Sequence, residues 1–528
     1  MRERITSITN FYYATRASFV QRSPLYKLLL DKRHNIFNPE KFITDPWSGN
    51  ANIGKSILDG KFSIEGFESS IDIIKTISHN RSVDQIETEY IGCFNWIRDL
   101  QAIGGNNSRK YARKAISEFI ASYGATKGFW LHNPAWKPAV IGERIVNWIL
   151  SYSFYASGSS DKFQKEVLSS INEQFSHLLK THKAETNPYS RLITLKAIFF
   201  CLCSLKKFQA RQIRKTITEI CNVVANNLDD SGMLKTRNPI DQFNMFRSLL
   251  EIRFMAKSSN ISVPESIFYD SLSRMASCIR FLRLGDGEIS RHSGEEESAF
   301  HIVPSQHMID TALSLVDIWH YSEKTNTVRG FDRLSTKRTT AIVNTEVCDV
   351  KSKFNSSIEP GINIFDFEAS FGITRLINRS DISILFDGFF VKAGQTSHCF
   401  FSKEVVANEL CFDGEIHLRD KLFNFAMRRN LFISISKPSI RGIDFVYITG
   451  NHDALFRFVL NKNSKIEQIN PRKILITLNK KDFLLTVNES SPSFEIIIKT
   501  SYYPTIEILA SGNSSKETML DWKIEEAE

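Results

Sequence analysis

Trp96-Ile97-Arg98-Asp99-Leu100 precedes, by about one helix, the stretch Pro134-Ala135-Trp136-Lys137-Pro138-Ala139-Val140-Ile141-Gly142-Glu143-Arg144-Ile145-Val146-Asn147-Trp148. Apolar residues recur at helical spacing in both stretches, and two prolines frame the aromatic residue Trp136 between them. The pattern predicts a wall of helices with indole rings beside a loop. Such rings can stack on a sugar, but a tryptophan can equally fill the seam between two helices, and the sequence leaves both roles open.

Up to about residue 325 the apolar residues are spaced as in helices. Ile213, Ile217 and Ile220 fall on one stripe, and further stripes follow along the chain. Ser262-Val263-Pro264-Glu265 reads as a capping box with proline just inside the helix start. We therefore expect residues 1–325 to form a helical domain, either an α/α toroid or a helical bundle.

From about residue 330 the apolar period becomes two, and turn signals recur every eight to twelve residues or so. Asp387-Gly388 predicts a two-residue hairpin turn, and Asp413-Gly414 within Cys411–Ile416 predicts a second one. Further strands are predicted at residues 431–436, 445–449, 473–478, 483–487 and 494–499. The pattern predicts an antiparallel β-sandwich domain over residues 330–528, joined to the helices by the polar stretch 320–333.

These motifs, in this order, resemble the heparinase II/III family of polysaccharide lyases. Residues 280–287 are similar to the family's Phe-Phe-Arg-His-Gly-Asp-Gly turn, Ser293-Gly294-Glu295 follows at the family's distance, and residues 330–334 look like its entry to the sandwich. The resemblance implies an N-terminal α/α toroid followed by a C-terminal antiparallel β-sandwich. It also implies cleavage of a uronic-acid polysaccharide by β-elimination.

In β-elimination a base removes the proton next to the sugar carboxylate, and an acid protonates the departing oxygen. The carboxylate must be neutralised because charge develops on it as the enolate forms. Placed on the matching positions, the resemblance implies two proton-transfer groups, Tyr189 and His398, and five substrate contacts, Trp136, Arg144, Asn147, Arg237 and His292. Arg144 and Asn147 lie one helical turn apart and could present a guanidinium and an amide to one carboxylate.

Several positions depart from the family pattern. Asp241-Gln242 stands where the family has Tyr-His, and Glu359-Pro360-Gly361 stands where it has His-x-His. We therefore expect a polysaccharide lyase whose activity is degraded; the alternative is a non-catalytic glycan- or envelope-binding protein on the same scaffold. Single residues also keep a structural alternative: a buried arginine at 144, a packed aromatic at 189 and a hydrogen-bonded strand-end histidine at 398.

The composition sets limits on partners and location. The 528 residues carry a formal net charge of +9, which suits an anionic partner, but lysine and arginine are scattered and no stretch is typical of nucleic-acid binding. The partner expected is an acidic polysaccharide or oligosaccharide. The eight cysteines form no Cys-x-x-Cys pair, and no histidine lies at zinc spacing, so no metal or cofactor is expected.

The N-terminal thirty residues mix arginines among aromatics and have no uninterrupted apolar core. The most apolar stretch, 192–205, contains Lys196 and is shorter than the roughly 20 residues that span a bilayer. These observations predict a cytoplasmic protein without a transmembrane segment. The alternative is the periplasm or cell envelope, where many lyases of this family work.

Overall fold

The computed structural model describes residues 30–31, 33–62, 72–79, 85–124, 133–185, 187–292, 304–316, 328–346, 362–386, 389–390, 398–419, 424–448, 452–491, 494–512 and 517–527. Within these ranges every helix precedes every strand along the chain. The last helix ends at Ser314 and the first strand begins at Phe331. The predicted Ser293-Gly294-Glu295 match, the Glu359-Pro360-Gly361 departure and most of the 320–333 link lie outside the described residues.

The helical part contains thirteen α-helices within the described ranges. They are α1 (Ala51–Leu58), α2 (Ile73–His79), α3 (Gln85–Cys93), α4 (Ile97–Ile103), α5 (Gly105–Tyr123), α6 (Pro138–Leu150), α7 (Tyr152–Ala156), α8 (Asp161–Thr181), α9 (Pro188–Cys203), α10 (Ala210–Asn227), α11 (Pro239–Ser258), α12 (Glu265–Phe281) and α13 (Gln306–Ser314). Helix α9 packs against α6, α8, α10 and α11. The predicted α/α toroid is confirmed.

The helices differ in how completely they are buried. Almost every residue of α6, α9 and α11 is buried, including charged residues. Helices α5, α8 and α10 instead bury one face and expose the opposite face. A helix buried on all sides belongs to an inner layer, and an amphipathic one covers it. The predicted capping box is wrong: α12 begins at Glu265 directly after Pro264, and no side chain caps it.

Within the described ranges the C-terminal part forms two antiparallel eight-stranded sheets. Their strands are β1 (Phe331–Ser335), β2 (Thr339–Asn344), β3 (Ile362–Phe371), β4 (Thr374–Phe386), β5 (Phe389–Phe390), β6 (His398–Val406), β7 (Glu409–Arg419), β8 (Asn424–Ser434), β9 (Ser439–Ile448), β10 (His452–Leu460), β11 (Lys465–Asn470), β12 (Lys473–Leu478), β13 (Lys481–Val487), β14 (Phe494–Lys499), β15 (Thr505–Gly512) and β16 (Thr518–Glu526). One sheet has the order β1-β2-β3-β4-β10-β15-β14, with β5 on β4; the other has the order β11-β12-β13-β16-β9-β8-β7-β6. The predicted sandwich is confirmed.

The two predicted hairpin turns have different outcomes. Asp387-Gly388 lie outside the described residues, but the strands that flank them, β4 and β5, pair with Phe386 opposite Phe389, as the first predicted turn requires. The second turn is wrong, because β7 runs straight through Asp413-Gly414. A Cβ on Gly414 would lie 2.7 Å from the ring of Phe365, so glycine is needed there for close packing of a ring and not for a turn.

Strand β3 joins the two parts of the molecule. Its residues Phe365, Phe367 and Ala369 face the core of the sandwich, and the residues between them face the helical part. There the Ser370 hydroxyl accepts a hydrogen bond from the backbone N–H of Gly285 at 2.8 Å. Residues 365–371 of this strand are therefore buried on both faces, and the polar face holds the segment that follows α12.

Candidate functional site

The Trp-Ile-Arg-Asp-Leu motif ties the start of the described chain to the inner helices. Nε of Arg98 donates to Asp45 Oδ2 at 3.1 Å, and an η nitrogen donates to Asn147 Oδ1 at 3.0 Å. Asp99 accepts from the backbone N–H of Asn50 at 2.7 Å, and burial raises its pKa to about 6. Trp96 is fully buried. The motif therefore has a structural role, because it joins residues 45–50 to α6.

The predicted substrate contacts Trp136, Arg144 and Asn147 lie inside this helical core, Trp136 in a short turn just before α6 and the other two on α6. Trp136 is 5% exposed, and its Nε1 donates to Tyr123 O at 2.7 Å. Arg144 is fully buried; it donates to Gln174 Oε1 at 2.8 Å and to two backbone carbonyls, and burial lowers its pKa to about 9. Asn147 is also buried and donates to Cys93 O. These contacts support the structural alternative for Trp136 and Arg144.

Four charged side chains meet between α6, α9 and α11; they are named here the inner-helix cluster and comprise Glu143, Lys196, Arg247 and Glu251. Nζ of Lys196 lies 3.1 Å from Glu143 Oε1 and 2.7 Å from Glu251 Oε2. Arg247 lies 3.4 Å from Glu143 and 3.8 Å from Glu251. Trp47 Nε1 donates to Glu251 Oε1 at 2.7 Å. Two cations thus balance two carboxylates, all out of contact with water.

Tyr189, a predicted proton-transfer group, lies beside this cluster on α9. It is 2% exposed, and burial raises its pKa well above the usual value, with the nearby Glu143 acting in the same direction. Gln242, at one departure from the family pattern, holds the preceding loop by accepting from Leu234 N–H and donating to Gly232 O, each at 2.8 Å. A buried phenol that resists ionisation is poorly suited to act as a base at neutral pH.

The other predicted residues of the helical part meet the sandwich. We name this group the junction cluster: Arg237, His292, Phe331, Asn344 and Asp366. The ring of Phe331 lies between the imidazole of His292, at 5.0 Å, and the guanidinium of Arg237, at 5.9 Å. Arg237 donates to Asn344 Oδ1 at 3.4 Å. The fold therefore brings together two predicted substrate contacts that lie 55 positions apart in the sequence.

Backbone conformation makes room for Arg237 at the junction. Its own φ is +56°, and Gly330, at φ +82°, lies where an added Cβ would be 2.3 Å from an η nitrogen of Arg237. Only glycine adopts that backbone conformation without strain and leaves that space. The glycine before β1 therefore allows the guanidinium to reach Asn344 and Glu346.

An imidazole–carboxylate pair lies at the centre of the junction cluster. His292 Nδ1 lies 3.4 Å from Asp366 Oδ2, and both side chains are at least 95% buried. Burial alone would raise the pKa of Asp366, but the hydrogen bond from His292 and nearby charges, Arg379 among them, lower it to about 2. Within the described part of the chain, His292 Nε2 has no hydrogen-bond partner. The Asp366 carboxylate is therefore ionised at neutral pH, and Nε2 of His292 is left without a hydrogen-bond partner among the described residues.

Neighbouring polar residues of β3 and β4 hold this pair in place. Glu368 Oε1 accepts from the backbone N–H of Arg291, next to His292, and Glu368 Oε2 lies 3.0 Å from Arg375. Arg375 also donates to Ile289 O at 2.8 Å. The segment that carries His292 is therefore fixed at several points to the face of β3 that also carries Asp366.

His398, the second predicted proton-transfer group, begins β6 and pairs with His417 of β7 in the other sheet. Its side chain lies outside the described residues. Asn344 and Asp366 were not identified from the sequence. A signal was present for Asp366, because Phe365-Asp366-Phe367-Glu368-Ala369-Ser370 alternates apolar and polar residues in a strand that the helices also cover.

Within the described part of the chain, no group of three or more histidine, cysteine, aspartate or glutamate side chains is arranged to hold a metal ion. Among the helices described, none combines the length and the apolar character needed to cross a bilayer. Six cysteines, at positions 93, 201, 203, 221, 278 and 411, are buried thiols without a disulfide.

Comparison with known proteins shows the fold. No family model matches the chain. The chain is 21% identical to FtsZ-localized protein C of Caulobacter vibrioides over 243 residues. The match covers 46% of this chain and 41% of that relative, which is less than half of the relative's length. A solved heparinase III covers 93% of this chain and 87% of its own, with a TM-score of 0.61 at 12% identity, and a second heparinase III gives 0.51 at 13%, covering 93% and 86%. The chain has this polysaccharide lyase fold, which confirms the resemblance at the level of structure.

Proposed function

We propose that this protein is a slow polysaccharide lyase that acts on an acidic, uronate-containing glycan at the junction of its two parts. The observation that carries the proposal is the junction cluster. There the fold joins a guanidinium and an imidazole from the helical part to an amide and a carboxylate from the sandwich. These are the group types that neutralise a sugar carboxylate and move a proton.

Charge supports an anionic ligand at this place. Arg237 is the cation of the junction cluster, and its counter-ion Glu346 is 42% exposed, 3.4 Å away. A half-exposed carboxylate can turn towards water, so a carboxylate or sulfate of a glycan can take its place on the guanidinium. The net charge of +9 favours approach of such a polymer.

The slow rate follows from the inner helices. Tyr189 lies in the core at 2% exposure, and Arg144 makes its hydrogen bonds to protein atoms. Loss of one general acid or base typically lowers a rate by about 10²–10⁴. We therefore expect turnover of heparan sulfate, alginate or polygalacturonate that is measurable only with high protein concentration and long incubation.

The test follows unsaturated uronate, which absorbs in the ultraviolet, together with retention on columns that carry the same glycans. Arg237→Gln should weaken retention by about tenfold, because a charge-assisted contact is lost. Arg329→Gln is the matched control, since Arg329 pairs with the same Glu346 at 3.3 Å but is 65% exposed. Equal retention of wild type and Arg237→Gln, or no interaction with any acidic glycan, would contradict the proposal.

A second candidate function is glycan binding without turnover. The burial of Tyr189 and Arg144 favours it, and so does the sequence relative, whose name describes a location at FtsZ and not a reaction. Retention of an acidic glycan without any rise in absorbance is the expected result for this candidate. A cytoplasmic location, with the cell envelope as the alternative, is likewise a proposal, which fractionation of cells tests.

A further inference from the structure

We propose that Nε2 of His292, oriented by Asp366, is the proton acceptor of the junction cluster. It would take the role that the family resemblance implies for Tyr189. The inference rests on the proposed lyase function. Its basis is geometric: the imidazole is 95% buried, one ring nitrogen faces a carboxylate at 3.4 Å, and the other has no hydrogen-bond partner within the described residues.

The state of the imidazole follows from its neighbours. In the tautomer that carries its hydrogen on Nδ1, the imidazole donates a hydrogen bond to the Asp366 carboxylate, and its lone pair lies on Nε2. Buried polar atoms are nearly always hydrogen-bonded, so an unfilled nitrogen where the two parts meet is a position that a ligand atom can fill. An acceptor nitrogen backed by a carboxylate is the arrangement of a general base.

The alternative base is less suited to the task. The Tyr189 phenol has to lose a proton before it can accept one, and its burial opposes that loss. The imidazole needs no such step, and the adjacent carboxylate stabilises the imidazolium that forms. The nearby Arg379 is a further charge that lowers the pKa of Asp366 and so favours its ionised form.

The elimination step balances with this one base. Nε2 takes the proton from the carbon next to the uronate carboxylate, and the electron pair of that C–H bond forms a carbon–carbon double bond. The bond from the neighbouring carbon to the glycosidic oxygen breaks, and its electron pair leaves with the oxygen. The imidazolium returns the proton to that oxygen, so histidine ends neutral and no oxidant or co-reactant is needed.

The experiment compares two imidazole–carboxylate pairs in the full chain: the buried pair of His292 with Asp366 and the exposed pair of His417 with Glu415. His292→Phe keeps a ring against Phe331 but removes both nitrogens, and His292→Gln is a second variant in case the first fails to fold. His417→Phe is the control, because His417 pairs with Glu415 at 2.6 Å on the exposed face of the other sheet. Each protein is assayed for ultraviolet absorbance, glycan retention and melting temperature.

We expect both His292 variants to lower the elimination rate by about 100-fold or more, with retention within about twofold of wild type. His417→Phe should leave both readouts unchanged. Asp366 is a positioning residue, so Asp366→Asn should lower kcat while leaving KM within about twofold of wild type, because the substrate contacts remain and only the orientation of the imidazole is lost.

The possible outcomes distinguish failure of this inference from failure of the proposed lyase function. If wild type releases unsaturated uronate and both folded His292 variants do so equally fast, the inference is overturned and the lyase stands. If wild type binds glycan but never produces absorbance, the inference is overturned and binding without turnover remains. If wild type neither binds nor cleaves any acidic glycan, the proposed function fails, and the inference fails with it.

Discussion

The inner-helix cluster and the junction cluster both bury charged side chains, but they differ in what those side chains contact. Around Lys196 each charge faces an opposite charge of the same helical layer, and the neighbouring Trp47 indole fills a further site on Glu251. Around His292 one ring nitrogen is left unfilled among the described residues. Arg247 Nε and Nη1 also have no hydrogen-bond partner among these residues, but they lie inside the helical layer next to Glu143 and Glu251, whereas His292 lies where the helical part meets the sandwich. The difference in position indicates that the first cluster stabilises the fold and that the second is placed to contact a ligand.

The largest effect on stability is expected from Lys196→Met. The change leaves Glu143 and Glu251 with only Arg247 as a counter-charge, and breaking a buried ion pair costs about 3–5 kcal/mol. Urea unfolding followed by circular dichroism measures the loss. Lys162→Met is the control, because Lys162 is an exposed surface residue of α8. A loss below 1 kcal/mol would show that the inner-helix cluster does not stabilise the fold.

Trp136→Ala is expected to cost about 3 kcal/mol, since truncation of a buried aromatic leaves a cavity. The burial of Trp136 and its hydrogen bond to Tyr123 make this a change in the core. Glycan retention of the folded fraction should equal that of wild type. Weaker retention with an unchanged melting temperature would instead assign Trp136 to a sugar-binding surface.

The sequence predicted the fold far better than it predicted the site. Strands β12 and β14 were predicted at their observed bounds, because alternation and turn residues are local signals. The burial of Trp136 and Arg144 was left open as a structural alternative, since no local pattern decides whether α6 and the turn before it are covered on all sides. The contact between Arg237 and Asn344 spans 107 positions, and such a contact is set by the packing of two domains.

Acid should weaken the junction through Asp366, whose pKa is about 2 in the folded protein and 3.8 ordinarily. Because the folded-state pKa is lowered, the ionised carboxylate stabilises the fold above about pH 4, and this contribution disappears as the pH falls towards 2. Asp366→Asn should therefore cost about 2 kcal/mol at pH 7 and almost nothing near pH 2. Urea midpoints of both proteins across this range measure the difference.

The matched control for this acid dependence is Asp413→Asn. Asp413 pairs with Arg428 at 2.5 Å, but both side chains are more than one-third exposed, so water screens the interaction. Its substitution should change stability little at any pH. If the cost of Asp366→Asn is the same at pH 7 and near pH 2, the carboxylate at the junction is not held ionised by its neighbours.

The smallest effect is expected from Tyr189→Phe, which removes only the hydroxyl from a ring packed in the core at 2% exposure. The net contribution of one hydrogen-bonding hydroxyl is typically about 1 kcal/mol, so the melting temperature should fall by no more than a few degrees. The elimination rate should match that of wild type, because a phenol whose pKa is raised by burial supplies no base at neutral pH. Parallel assays of Tyr189→Phe and His292→Gln compare the elimination rates that depend on the inner helices and on the junction cluster. A rate that falls in Tyr189→Phe and not in His292→Gln would return the chemistry to the inner helices and leave the junction as a structural contact between the domains.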